Sequence, residues 1–234
     1  LTMSATTKTL TPKEKKALKA AETAKKEAAR ELLNKQIKDI YAIPDLLEAL
    51  PKLKSFNKNG LNLRIEAVPV DKLHHETFKW IFDLLKKNME GYYEQTWGWS
   101  DSGKRAELKE FNAMYLIAWE TVDGKEVPVG YSHFRFDYED EKKDNVLYMY
   151  ELQIEERARG KALGRFLMQV LELLAIKYGM QSLMLTVFLC NKDAMAFYQK
   201  MKYEVDSTSP SKDIKTVVAD TDNDYEILSK TFKR

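Results

Sequence analysis

The chain of 234 residues has a single cysteine, Cys190. No internal disulfide can form, and a reducing compartment is expected. Histidine is nearly as scarce, with only His74, His75 and His133. Three histidines beside one thiol argue against a zinc centre, structural or catalytic. His133 falls in a predicted strand and reads as a packed or hydrogen-bonded side chain rather than a ligand or base. Long apolar runs are absent too: none approaches the ~20 residues that span a bilayer, and the N-terminus lacks the apolar stretch of a secretory leader. Nor is there charge of one sign, since 38 Lys and Arg against 36 Asp and Glu leave a net +2. What remains, 44% hydrophobic and 32% charged, suits an ordinary globular domain long enough to bury a core.

The small net charge conceals a division. Residues 1–38 carry ten basic and four acidic residues, a balance of +6, and the rest carries 28 and 32, a balance of −4. The basic arm reads as solvated helix or as a contact for an acidic surface; the acidic remainder favours a cationic substrate. Residues 1–11 are Thr-rich and expected to be disordered. Pro12 can open a helix, and Ala, Lys and Glu dominate to about residue 38. Its apolar stripe is thin (Leu18, Ala21, Ala28, Leu32, Leu33, Ile37), which predicts a helix that packs on the domain rather than standing alone.

Patterning then predicts a strand over 61–67 after a turn at Asn59-Gly60, a helix over 73–93, and a loop carrying Trp97 and Trp99. A short helix over 104–110 follows, then strands over 113–120 and 127–136 joined around Asp123-Gly124. The organising stretch is 145–178. In its strand, Val146, Tyr148, Tyr150, Leu152 and Ile154 share one parity. In its helix, Leu163, Phe166, Leu167, Val170, Leu171 and Leu174 follow the spacing of one buried face, and Gly179 suits a left-handed C-cap. A strand over 183–188, a helix capped by Asn191 and a strand over 225–231 close the chain. This order predicts a mixed α/β sheet with helices on both faces.

Between strand and helix lies Arg159-Gly160-Lys161-Ala162-Leu163-Gly164-Arg165. Unpaired N–H groups at a helix start, small side chains and positive charge make an anion site, most naturally for a phosphate or diphosphate. The spacing Arg159, Ala162, Gly164 resembles the acetyl-CoA turn of the GCN5-related N-acetyltransferases, with Ala162 replacing the first glycine. The runs GYYEQTWGW, YLIAWE, VGYSHFRFD, VLYMYELQIE, LMLTVF and DYEIL are similar, over residues 56–231, to the NatD group of that superfamily, the N-terminal acetyltransferase 40 group. The FRFD and YEL segments are the specific part.

The resemblance implies that superfamily's fold, a mixed central sheet flanked by helices. Residues 1–55 would form a basic helical extension packing on the domain, and residues 56–234 the N-acetyltransferase domain. It implies acetyl-CoA as cosubstrate, no metal, and transfer to the α-amine of core histones four and two-A, whose tails begin Ser-Gly-Arg-Gly. It further implies a monomer without auxiliary subunit, no membrane or obligatory nucleic-acid partner, and a place in nucleus and cytoplasm; residues 13–16 (KEKK) are an import-like cluster. Arg159, Gly160, Lys161, Ala162, Gly164 and Arg165 would hold the diphosphate. Leu152 and Ile154 would hold the pantetheine arm through the main chain, and Asn191 is a further cofactor contact.

Acetyl transfer needs a held thioester, a neutral amine and a proton for the thiolate. An α-amine, with a reference pKa of about 7.7–8.0 against about 10.4 for lysine, needs only a modest base. Glu151 is the first candidate and Tyr150, relaying through water, the rival. Strict alternation puts the two on opposite faces, so a bulge is expected there. Tyr198 is read either as general acid to the thiolate or as a packed aromatic. Asp137 and Glu139, at the end of the FRFD strand, suit an arginine side chain. Tyr93, Trp97, Tyr148 and Tyr225, with Thr186, would wall a slot for a small first residue, with Asp220, Asp222, Asp224 and Glu226 adding negative potential at its rim. Trp97 is preferred to Trp99 because the NatD loop holds one more residue before its Trp-Gly-Trp. Two alternatives stay open: a lysine or small-amine acetyltransferase of the same superfamily, and a non-catalytic CoA-binding chromatin-interaction protein.

Overall fold

The computed structural model describes residues 12–212 and 223–232; residues 1–11, Asp220 and Asp222 lie outside them. An eight-stranded sheet organises the chain, with spatial order β1-β2-β3-β4-β5-β6-β8-β7. The strands are β1 (Ser55–Lys58), β2 (Leu61–Pro69), β3 (Met114–Val122), β4 (Lys125–Glu139), β5 (Asp144–Ile154), β6 (Ser182–Phe188), β7 (Glu204–Val205) and β8 (Tyr225–Thr231). All pairs are antiparallel except β5 with β6. The helices are α1 (Pro12–Tyr41), α2 (His75–Glu94), α3 (Asp101–Leu108), α4 (Leu163–Lys177) and α5 (Lys192–Lys200).

Two apolar clusters flank the sheet. The larger joins Leu163, Leu167, Val170, Leu171 and Leu174 of α4 to Leu147, Met149 and Leu185 of the sheet, and takes in Ile37 and Ile40 of α1. The smaller packs Phe78, Ile81, Phe82 and Leu85 of α2 and Leu108 of α3 against Tyr115, Ile117 and Tyr131. Helix α1 thus docks by its C-terminal part, as its thin stripe predicts. The Tyr41 hydroxyl donates to Phe136 O at 3.1 Å and accepts from Phe136 N at 2.9 Å, and Asn145 Nδ2 donates to Leu33 O at 3.0 Å.

The turns follow their sequence signals. Asn59-Gly60 and Asp123-Gly124 each take two consecutive positive φ angles, the geometry of the tight hairpin turn that such pairs favour. Gly179 sits at φ 75° after α4, with Met180 N–H bonded to Ala175 O at 2.8 Å and Gly179 N–H to Ile176 O at 3.2 Å, a Schellman cap. Three expectations need correction. Strand β1 precedes the expected first strand, because Asn59-Gly60 is a hairpin turn rather than an isolated one. Helix α3 starts three residues early, where the Ser100 hydroxyl accepts from Gly103 N–H at 3.2 Å. Strand β4, expected over 127–136, runs on to Glu139, which keeps Asp137 and Glu139 at the end of the strand.

Candidate active site

Strands β5 and β6 pair in parallel only from Val146↔Ser182 to Met149↔Leu185. Beyond Met149 they part, and the gap opens a cleft of about 1350 Å³ lined from β5, β6, α2, α3, the turn 158–165 and α5. The β4–β5 register shifts just there, with His133 opposite Glu151 but Phe134 opposite Met149. Tyr150 is the extra residue of a bulge. Past it the parity of β5 inverts: Leu152 and Ile154 turn to the α4 cluster, while Glu151 and Gln153 join Tyr148 and Tyr150 toward the cleft. The single parity read along this strand is therefore broken, and the break brings Glu151 and Tyr150 to one site.

At one end of the cleft, Gly160 (φ 71°) and Ala162 (φ 67°) both take left-handed backbone before α4 begins. Arg159 N–H bonds Glu156 O, and Phe166 N–H bonds Ala162 O. Between them, the N–H groups of residues 160–165 find no acceptor among the described residues. Six donors at a helix N-terminus, beside Arg159 and Arg165 of the cleft lining, fit a diphosphate; Lys161, in the same turn, lies outside that lining. The α4 start also comes close to β5: a Cβ on Gly164 would stand 3.2 Å from Ile154 Cδ1 and 3.5 Å from Phe197 Cζ. Ala162 carries a Cβ where glycine is at ease, at a cost of about 1 kcal/mol. Asn191 caps α5, accepting from Ala194 N–H at 3.1 Å, and lines the cleft.

At the other end, Glu151 is only 5% exposed. Burial raises its pKa to about 7, against the pull of Lys104 and of donors on Gln153 and Tyr93. Gln153 Nε2 donates to Glu151 Oε2 at 2.8 Å. Lys104 of α3, itself buried, donates to Tyr93 Oη at 2.5 Å and to Glu107 Oε2 at 2.8 Å. The Tyr93 phenol is held well above its ordinary pKa, first by burial and then by the charges of Glu151 and Glu107. Burial, followed by the Glu151 charge, also holds the Tyr198 hydroxyl strongly protonated. His133 is packed, as its sequence context predicts. It is fully buried between Tyr115 and Tyr150, with ring centroids at 5.1 and 5.0 Å. Burial, then Arg135 and Lys104, lower its pKa to about 3, so it stays neutral.

Aromatic rings wall the space beside Glu151. Trp97 stands 4.8 Å from Phe188, 5.0 Å from Tyr225 and 6.2 Å from Tyr93 between ring centroids, and it is 53% exposed. The Tyr148 and Thr186 hydroxyls share a hydrogen bond of 2.6 Å across the two parting strands. Trp99 instead packs on Phe82 and Tyr93 and ties its indole N–H to Asp101 at 2.6 Å, a structural role. Asp137, Glu139 and Tyr225 lie outside the residues that line the cleft. They stand at its edge: the Asp137 charge acts on Tyr150, and that of Glu139 on Tyr148. Glu226 accepts from the Ser209 and Ser211 hydroxyls, which fix its carboxylate in place without removing its charge.

Among the cleft residues that sequence patterning does not single out are Lys104, Glu107, Asn88 and Gln153. The first two sit on a short polar helix and the last two in strongly patterned elements, where a polar side chain at an inward position was the only signal. Among the described residues no group of His, Cys, Asp or Glu could hold a metal ion, and no helix is long and apolar enough to cross a membrane.

Residues 79–203, more than half of the chain, match the model of the acetyltransferase (GNAT) family. Among solved structures, the fold is similar to the NatC complex bound to Gag peptide and CoA, with a TM-score of 0.52 and 17% identity over 72% of this chain and 99% of that one. An acetyltransferase from Streptococcus agalactiae 2603 superposes with a TM-score of 0.50 and 14% identity, over 72% of this chain and 98% of that one. At these identities the likeness is one of fold.

Proposed function

The chain belongs to the acetyltransferase (GNAT) family, and on that premise we propose that it transfers an acetyl group from acetyl-CoA to the N-terminal α-amine of histone tails beginning Ser-Gly-Arg-Gly. The observation that carries the reading is the buried Glu151 carboxyl, its pKa raised to about 7, in the same cleft as a turn of unpartnered N–H groups. A base of that strength matches an α-amine with a reference pKa near 7.7–8.0.

Acetyl-CoA, when bound, supplies an activated acyl group and a thiolate leaving group. The N–H groups of residues 160–165, with Arg159 and Arg165, hold its diphosphate. The edges of β5 and β6, which part beyond Met149 and Leu185, leave main-chain groups around Leu152 and Ile154 for the pantetheine arm. Glu151, directly or through water, takes the amine proton. Tyr198, protonated throughout the neutral range, can donate to the thiolate. Tyr93, Trp97, Tyr148, Thr186 and Tyr225 confine a small first residue, and Asp137 with Glu139 receives the arginine at position three. The same reading has the protein act as a monomer on histones in nucleus and cytoplasm.

The test is mass spectrometry of a Ser-Gly-Arg-Gly-Lys peptide incubated with protein and acetyl-CoA, beside the same peptide with its N-terminus blocked. One acetyl group on the free peptide and none on the blocked one is the expected result. Acetylation of the blocked peptide would move the reading to lysine chemistry, and coenzyme A binding without modification of either to a non-catalytic module.

A further inference from the structure

A line of polar side chains joins the two ends of the cleft. Arg159, in the anion-binding turn, donates from Nη2 to Asn88 Oδ1 of α2 at 2.6 Å, while its Nε is anchored to Ile154 O at 3.0 Å. Asn88 Nδ2 donates to Gln153 Oε1 at 3.0 Å. Gln153 Nε2 donates to Glu151 Oε2 at 2.8 Å. The direction of this chain is fixed by its ends: a guanidinium can only donate and a carboxylate can only accept, so each amide must turn its oxygen toward Arg159 and its nitrogen toward Glu151. Each link then strengthens the next as a donor, because a polarised amide is a better one. Gln153 is buried and Asn88 half-buried, so little water competes at the Glu151 end of the line, while Arg159 at its other end is exposed.

We infer that Asn88 and Gln153 are positioning residues, which fix the orientation and acidity of Glu151 and tie both to Arg159 in the diphosphate turn. The inference rests on the reading of Glu151 as the base. Neither residue touches the reacting atoms. Gln153 acts on the carboxylate, and Asn88 acts only through Gln153. The other groups facing Glu151 are Lys104 and Glu107 of α3, Tyr93 of α2, Tyr115 of β3, Tyr131 of β4 and Tyr198 of α5. The substitutions below leave all six in place, so any shift they cause belongs to the line.

The experiment is a carbon-13 NMR titration of the Glu151 carboxyl in the full chain without cofactor, its signal assigned by its loss in Glu151→Gln. Gln153→Met, which keeps the shape and removes the donor, should raise the titration midpoint by about one pH unit, the size of a lost charge-assisted hydrogen bond. Asn88→Ala should raise it by roughly a third of that. The double variant should match Gln153→Met alone, because the two act in series. An unmoved midpoint in Gln153→Met, or shifts that add in the double variant, would overturn the assignment. Should Gln153→Met not fold, Asn88→Ala decides alone, an unmoved midpoint counting against it. The kcat of Glu151→Gln separates this from the functional reading: a wild-type kcat there removes Glu151 as base, whatever the titrations show.

Discussion

At one end of the cleft the turn 159–165 offers main-chain N–H groups; at the other, Glu151, Tyr93, Trp97 and Tyr198 offer side chains drawn from β5, α2, the loop after it and α5. The first end is contiguous in sequence and tolerant of side-chain change, since its donors belong to the backbone. Even Ala162, in left-handed conformation at φ 67°, keeps its N–H group. The second end depends on a carboxyl driven to about pH 7 by burial, and a single substitution can remove its chemistry. Substitutions should therefore act unequally on the two ends.

The largest effect is expected from Glu151→Gln, which should lower kcat by about 10²- to 10⁴-fold, the range for removing a general base. The same change should stabilise the fold. With its folded pKa raised to about 7 from 4.5, Glu151 holds a proton in the folded state that the unfolded chain has lost. Its stability contribution is thus intact below pH 4.5 and falls as pH rises through 7. Glu151→Gln should recover about 3 kcal/mol at pH 8 and flatten that dependence, as thermal unfolding at pH 4.5 and pH 8 would reveal.

Next in size, Asp137→Ala combined with Glu139→Ala should raise the KM for the Ser-Gly-Arg-Gly peptide by about 10- to 100-fold, the loss of charge-assisted bonds to an arginine. The KM for acetyl-CoA should change far less, and an unchanged peptide KM would take the arginine-reading role from this pair. Tyr198→Phe, which removes only the hydroxyl, should lower kcat by about tenfold if it serves the thiolate; full activity would leave it a packed aromatic. The smallest effect falls on the backbone end. Ala162→Gly should relieve the left-handed strain and raise stability by about 1 kcal/mol, near 3 °C in Tm.

The same contrast explains what could be read in advance. The turn, the Asn191 cap, the Gly179 terminator and the last strand are local signals, and each stands where its residues predict. The bulge at Tyr150 was deducible because Glu151 and Tyr150 cannot both face one cleft on a regular strand. Lys104 and Glu107 were not, since nothing in a short polar helix says that it folds over a buried carboxyl. Nor does the spacing of Asn88 from Gln153, 65 residues apart, foretell a hydrogen bond. Side chains that meet only through tertiary packing leave no periodic trace.

The most direct test of Glu151 at the centre of this site is the pH dependence of kcat/KM for the free Ser-Gly-Arg-Gly peptide, measured for the wild type and for Glu151→Gln. The account predicts a wild-type acidic limb that combines the titration of Glu151 near 7, where burial holds it, with that of the substrate amine near 7.7–8.0, and a limb set by the amine alone in the residual activity of the variant. A variant that keeps both the rate and the wild-type limb would contradict it.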